Sequence, residues 1–313
     1  MNAVRAVVAL ALARRARPLR AILLYWLLGP LGLPLAQAQG AAALQAQHAD
    51  LRAELASNQF HRPLHVESHQ IADDLKGDVY ARIEQPFATV ATALQDVDHW
   101  CDILMLHLNV KGCKASSSPR GDDRLSVTVG RKRDQPLLDA HLLEFSYRVV
   151  TATRDYLQVV LEAAEGPLGT GRYRVLLEVV ALDEQRSFLH LAYSSAYGLP
   201  ARMATRSYLA TTGRDKVGFS IVGREADGQP VYQRGLRGMV ERNTMRYYLA
   251  IEAYLGALAT PAPLRLDKRL NDWHASTERY PLQLHELDRN EYLAMKHKEI
   301  RRQLRLASPA AAR

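Results

Sequence analysis

Five runs of alternating apolar and polar residues follow one another between Arg124 and Tyr197, with little but turn chemistry between them. They are "RLSVTVG" (Arg124–Gly130), "HLLEFSYRVV" (His141–Val150), "YLQVVLE" (Tyr156–Glu162), "RYRVLLEVVAL" (Arg172–Leu182) and "SFLHLAYSSAY" (Ser187–Tyr197). A period of two sets one face of each run on a core, as a half-buried strand requires. In the second run Leu143, Phe145, Tyr147 and Val149 share one face, and Glu144, Ser146 and Arg148 the other. "EGPLGTG" and "DEQR" separate the later runs, and Asp227-Gly228 in "SIVGREADGQPVY" suits the tight turn of a further hairpin. Strands joined this closely pair antiparallel.

What flanks the strands sets the fold class. Upstream, "GDVYARIEQP" (Gly77–Pro86) alternates Val79, Ala81 and Ile83 and predicts a first strand, and Pro86 can open a helix. Phe87, Val90, Leu94, Val97, Cys101 and Leu104 then recur every three or four residues, as on one helix or two short consecutive ones. Downstream, Val240, Thr244, Tyr247, Ile251, Leu255 and Leu258 line one stripe of "GLRGMVERNTMRYYLAIEAYLGAL", with Glu241, Arg242, Arg246 and Glu252 away from it. That predicts an amphipathic helix of about five turns. The order is α+β. A strongly curved antiparallel sheet can wrap such a last helix, leaving the space between them either packed or hollow.

The ends of the chain set its compartment and charge. Arg5, Arg14, Arg15, Arg17 and Arg20 precede the apolar run Ala21–Leu35, and Ala36-Gln37-Ala38 follows; no acid occurs before Asp50. This pattern predicts a secretory signal peptide over 1–38, cleaved before Gln39, and a periplasmic or secreted protein. The alternative is an uncleaved membrane anchor, but the run falls short of the roughly 20 residues of a spanning helix and contains Pro30 and Pro34. The five arginines carry five units of the formal net charge of +8, and residues 265–313 hold eleven Lys or Arg against seven Asp or Glu. Residues 39–264 are left near neutral, so the basicity is not a nucleic-acid footprint and no nucleic-acid partner is expected. After an Ala/Gln-rich segment, helical or flexible, over 39–60, one domain is expected over 61–263 and a basic helical tail over 264–313. In that tail Leu284, Leu287, Leu293, Ile300 and Leu304 fall near helical spacing, and Lys296, Lys298, Arg301, Arg302 and Arg305 crowd its end. The tail is expected to dock on the domain, or else to make weak contact with an anionic membrane surface.

The element order, the junction at "ARIEQPFATV" and the amphipathic last helix resemble the START-like superfamily, also called SRPBCC, over roughly residues 65–260. That family includes lipid-transfer domains, polyketide cyclases and plant receptors for hydrophobic ligands. The stretch "WCDILMLHLNVKGC" (Trp100–Cys113) resembles a feature of an exported proteobacterial branch, to which no activity attaches. The resemblance implies an α+β helix-grip fold, with a curved sheet around the long helix and an apolar pocket beneath that helix. It does not imply a ligand, because fold does not fix function.

Chemistry-bearing motifs are sparse. Two cysteines in an exported chain predict a Cys101–Cys113 disulfide, with two free buried thiols as the alternative. His107 beside Asp102 falls short of a zinc ligand set, and no metal or cofactor is expected. Asp102 is expected to cap or pair locally, for instance with an arginine of the last helix. "GPLGTG" lacks the Lys-Ser/Thr of a phosphate loop and reads as a hairpin turn. The leading reading is a non-enzymatic binder or carrier of a hydrophobic molecule, lipid or isoprenoid-like. Its expected wall is Trp100, Leu104, Phe145, Tyr147, Val159, Leu177, Tyr193, Tyr247 and Ile251, with tyrosine hydroxyls orienting a polar head. Two alternatives stay open. One is a cyclase- or hydrolase-type enzyme in the same pocket, using Asp102, His107, His141, Glu144 or His190; the other is a solid-cored envelope scaffold.

Overall fold

Apolar residues on both faces of its central strands oblige this sheet to be covered twice, and the chain supplies both covers. The computed structural model describes residues 32–118, 122–211 and 213–307. The expected signal segment up to residue 31 therefore lies outside the described residues, and the expected cleavage point after Ala38 falls within the first helix, α1 (Gly32–Asp50). A short α2 (Arg52–Ala56) follows, then the hairpin β1 (Leu64–Ile71) and β2 (Asp74–Ile83). Pro86 stands at the N-cap of α3 (Phe87–Leu94), and Asp96 caps α4 (Val97–Leu104) by accepting from the Asp98 N–H at 2.9 Å. The strands β3 (Val110–Ser116), β4 (Arg124–Val129), β5 (His141–Ala152), β6 (Tyr156–Glu165), β7 (Thr170–Ala181) and β8 (Ser187–Tyr197) come next. All eight form one antiparallel sheet in the order β1-β2-β8-β7-β6-β5-β4-β3. The strand before the helical pair thus lies beside the last one, and the chain closes on itself.

The long helix α6 (Gly235–Gly256) packs on β2, β1 and β8 across the concave side. The architecture is a helix grip. Gly77 makes it tight: a Cβ there would stand 2.5 Å from Thr244 Oγ1 and 3.2 Å from the Val240 carbonyl oxygen. On the convex side α1 covers β7 and β8, and Leu44, Leu51 and Leu55 of the N-terminal segment pack with Tyr80, Tyr156 and Phe188. The Ala/Gln-rich segment is therefore a helix with a buried face.

Two strands go beyond the sequence reading. β1 alternates Leu64 and Val66 with His65, Glu67 and His69, a weak apolar signal, and β3 is short and carries Lys111, Gly112 and Lys114. Between β8 and α6 lie α5 (Leu199–Ala210) and the expected hairpin, β9 (Ile221–Arg224) with β10 (Pro230–Tyr232), whose Gly228 has φ +85°. "GPLGTG" links β6 to β7 as expected.

The stripe expected on α6 is only part of its buried surface. Glu241, Arg242 and Arg246, expected to face away, are buried as well. The reason is a second layer of chain: residues 217–220 and the helices α7 (Ala262–Thr277) and α8 (Pro281–Leu284) cover that side, and α9 (Arg289–Ala307) packs on α7 and β3. Glu241 accepts from Ser68 Oγ and from the Phe219 and Ser220 N–H groups at 2.6–2.9 Å. Trp273 Nε1 donates to the Arg246 carbonyl oxygen at 3.1 Å. The tail shares the main core through Leu270, Trp273, Leu284, Tyr292 and Met295. Lys296, expected in the exposed basic crowd, is wholly buried, pairs with Glu299 at 2.7 Å and donates to the carbonyl oxygens of His107 and Val110. Lys111 meets the other Glu299 oxygen at 2.9 Å. Among the described residues no helix is long and apolar enough to cross a membrane.

Candidate functional site

Inward positions at one end of the sheet do not reach α6, and they enclose a cavity of about 880 Å³ beneath the N-terminal half of that helix. Leu161 pairs with Val175, and Val175 with Tyr193, so neighbouring strands bring one cross-sheet row to the wall. Val127, Leu143 and Phe145 extend it toward β4, and Leu104 closes it from α4. An aromatic chain runs through the wall. Phe145 and Tyr173 lie 6.4 Å apart, Tyr173 and Tyr193 6.4 Å, Tyr193 and Tyr247 5.7 Å, and Tyr247 stacks on His107 at 4.6 Å. Burial raises the phenols of Tyr173, Tyr193 and Tyr247 above their ordinary value, so this wall stays uncharged.

The charged lining groups are mostly cationic, and Val129, Met239, Val240 and Leu287 add apolar surface beside them. Arg131, Lys132 and Arg133 come from the β4–β5 connection, Arg242 and Arg246 from successive turns of α6, and Glu286 from the residues after α8. Glu286 accepts from Arg246 at 2.8 Å and pairs with Lys132. Burial pushes the Glu286 carboxyl up, but Lys132 and Arg246 outweigh it and hold it below its ordinary value. Burial, reinforced by Arg246, lowers Lys132 to about 8. Arg242 donates to the Val217 carbonyl oxygen at 3.1 Å. His107 Nδ1 accepts from the Asn109 N–H at 3.1 Å, which puts the proton of the neutral ring on Nε2. That Nε2 has no hydrogen-bond partner among the described residues. Burial first, then Arg246, Lys296 and Lys132, keeps His107 neutral near pH 7.

Four of the nine expected wall residues line this cavity: Leu104, Phe145, Tyr193 and Tyr247. The other five lie in solid core. Val159 pairs with Leu177 one row deeper than Leu161–Val175, where α3 packs against β6 and β7. Trp100 and Tyr147 both donate to the Leu94 carbonyl oxygen, at 2.9 and 3.3 Å, and fill the closed end. Ile251 lies one turn beyond Tyr247 and is 1% exposed. Alternation and helical spacing identified the inward face, but depth along that face is set by where α3 and α4 dock. The basic residues are the ones that the sequence reading missed; on a helix read as amphipathic, Arg242 and Arg246 signal solvent. The charged end of the cavity is thus built by Arg and Lys, and the tyrosines belong to its apolar wall.

Of the candidate acid–base groups only His107 reaches the cavity. Asp102 pairs with Arg269 of α7 at 2.7 Å, not with an arginine of α6. His141 and Glu144 are exposed. His190 is on the convex side, with Nε2 2.8 Å from Asp78 and Nδ1 2.8 Å from Glu178, and the Tyr80 ring stacked on it at 4.3 Å. Lys76 adds a contact to Asp78 at 2.7 Å, and ligand atoms of Glu67, His69 and Asp78 lie within 4.8 Å of one another there. Cys101 and Cys113 form a disulfide that ties α4 to β3.

No protein-family model matches the chain, and no curated protein matches its sequence. Solved structures are similar at low identity. A START superfamily protein from Mycobacterium smegmatis is 14% identical, with a TM-score of 0.32, over 44% of this chain and 95% of that one. An aromatase/cyclase from a Streptomyces species is 15% identical, with a TM-score of 0.32, over 48% and 86%. Human StAR-related lipid transfer protein 5 is 11% identical, with a TM-score of 0.33, over 57% and 92%. At such scores the helix-grip assignment rests on the strand order and the placement of α6 in this chain.

Proposed function

We propose that the protein is an exported, non-enzymatic binder or carrier of a hydrophobic molecule held between the sheet and α6. The observation that carries this is the cavity: apolar and aromatic along one wall, with its charged groups gathered elsewhere. Its volume lies within the roughly 300–1,000 Å³ of small-molecule sites, and burial of apolar surface would drive binding at about 25 cal/mol per Å². The enzyme alternative needs a convergent His–carboxylate pair. The one carboxylate among the lining residues, Glu286, is held by Lys132 and Arg246 instead. The basic N-terminal segment and the disulfide support export to an oxidising compartment.

Two measurements test the reading. Purified protein should bind the neutral dye Nile red, and Leu161→Trp, which fills the cavity, should abolish that binding while leaving cooperative unfolding. Mass spectrometry of an organic extract should show an apolar compound at near-stoichiometric amount. No extractable compound, together with dye binding unchanged in Leu161→Trp, would overturn the proposal.

A further inference from the structure

We infer that the convex face of the β1–β2 hairpin carries a second site, independent of the cavity, where Glu67, His69 and Asp78 bind a divalent transition-metal ion such as zinc. The alternation of β1 places it. Val66 and Ser68 are buried, and Ser68 meets Glu241 of α6, so His65, Glu67 and His69 share the opposite face. The register sets Glu67 directly across from Asp78, and His69 across from Lys76. One ligand atom from each of Glu67, His69 and Asp78 lies within 4.8 Å of the other two. His69 Nε2 is 3.9 Å from one Glu67 oxygen, and His65 Nε2 is 3.8 Å from the other. Two ligands of one zinc ion stand about 3.3 Å apart when each bond is about 2.0–2.1 Å long. Small side-chain rotations therefore close the set.

Asp78 is what distinguishes this cluster from a chance meeting of polar side chains. Its side chain is 0% exposed, and Oδ1 takes both of its close contacts, His190 Nε2 at 2.8 Å and Lys76 Nζ at 2.7 Å. Oδ2 is buried and has no hydrogen-bond partner among the described residues. A carboxylate oxygen buried in that way is costly, and a bound cation relieves it. His190 is held in turn by Glu178, which accepts from Tyr156 and Gln158. Asp78 is thus fixed by a chain of outer partners, as metal-binding carboxylates are. Lys76 already brings a cation to this spot, and its flexible stem, 45% exposed, lets a metal ion displace it. The exposed His69 leaves an entry path. Imidazole among the ligands favours zinc, nickel or copper over magnesium or calcium.

The test uses the full mature chain without a histidine tag, stripped of metal with EDTA. Both cysteines are in the disulfide, so no thiol competes for the ion. Calorimetric titration should show one zinc ion bound per chain at micromolar or tighter affinity, and no uptake of magnesium at the same concentrations. His69→Ala and Glu67→Gln change side chains that reach solvent and should keep the fold, with thermal unfolding as the check. Each should weaken zinc binding at least about tenfold, the least that loss of even an outer partner costs. Lys76→Gln should tighten it, because the competing ammonium is gone; adventitious zinc on histidines elsewhere on the surface would show no such gain. Zinc uptake absent from the wild type, or unchanged in both His69→Ala and Glu67→Gln, would overturn the proposal. Equal or weaker binding in Lys76→Gln would overturn it too, since the ion would then not meet Asp78.

Discussion

At the scale of single residues, His190 carries a pH-dependent part of the stability. Both its nitrogens face carboxylates, and both can donate only in the charged ring. Burial pulls the imidazole down, but Asp78 and Glu178 outweigh it, and the group titrates above its ordinary 6.5. Burial likewise pushes Asp78 and Glu178 up, and their hydrogen bonds, His190 foremost, hold them below their ordinary 3.8 and 4.5. The sign follows from linkage. The raised histidine contributes stability that is complete below 6.5 and is lost as pH rises through its folded value, and the lowered carboxylates contribute stability that is lost in acid. Urea unfolding of wild type and His190→Gln should therefore differ most near pH 5.5, and less both at pH 8.5 and below pH 3. A difference that does not vary with pH would rule out a charged ring. Such residues were hard to place from sequence. His190 alternates correctly within its strand, yet nothing local announces Asp78, 112 positions away. Lys296, Arg242 and Arg246 look like solvent residues until the second layer of chain is known.

Elements show where sequence periodicity stops being informative. Along α6, Tyr247 and Ile251 occupy the same stripe one turn apart, yet one faces the cavity and the other solid packing. Ile251→Ala should cost about 2–5 kcal/mol in denaturant unfolding and leave Nile red binding nearly unchanged. Tyr247→Leu should reverse that pattern, with a small stability loss and a large change in affinity. Two large stability losses would mean that the cavity end is packed too. The Cys101–Cys113 bridge belongs to this scale as well, because it fastens α4 to β3 beside the wall residues Leu104 and His107. Cys101→Ser should lower stability by about 2–3 kcal/mol, mainly by freeing the unfolded chain, and keep Nile red binding. The strands between 124 and 197 were legible because apolar and polar residues contrast along each of them, although β6 and β8 are buried on both faces. β1 and β3 lack that contrast.

For the molecule as a whole, the tail is part of the domain's interior. Ending the chain at Leu264 removes Trp273, Leu284 and Tyr292 from the main core, so the truncated protein should lose its cooperative thermal transition. A sharp transition at an unchanged temperature would show the tail to be independent. Membrane attraction is therefore better tested with Arg301→Gln and Arg305→Gln, since Lys298 is paired with Asp134, and Arg302 donates to the Lys111 carbonyl oxygen. The contact at Gly77 has a different kind of consequence. Because α6 rests on bare backbone there, β2 serves as a fulcrum and the helix as a beam lying over the hollow. Any side chain added at 77 would act as a shim, lifting the beam near the cavity while its far end stays clamped by α4 and α7. The bore of the container is thus gauged by a residue that does not line it.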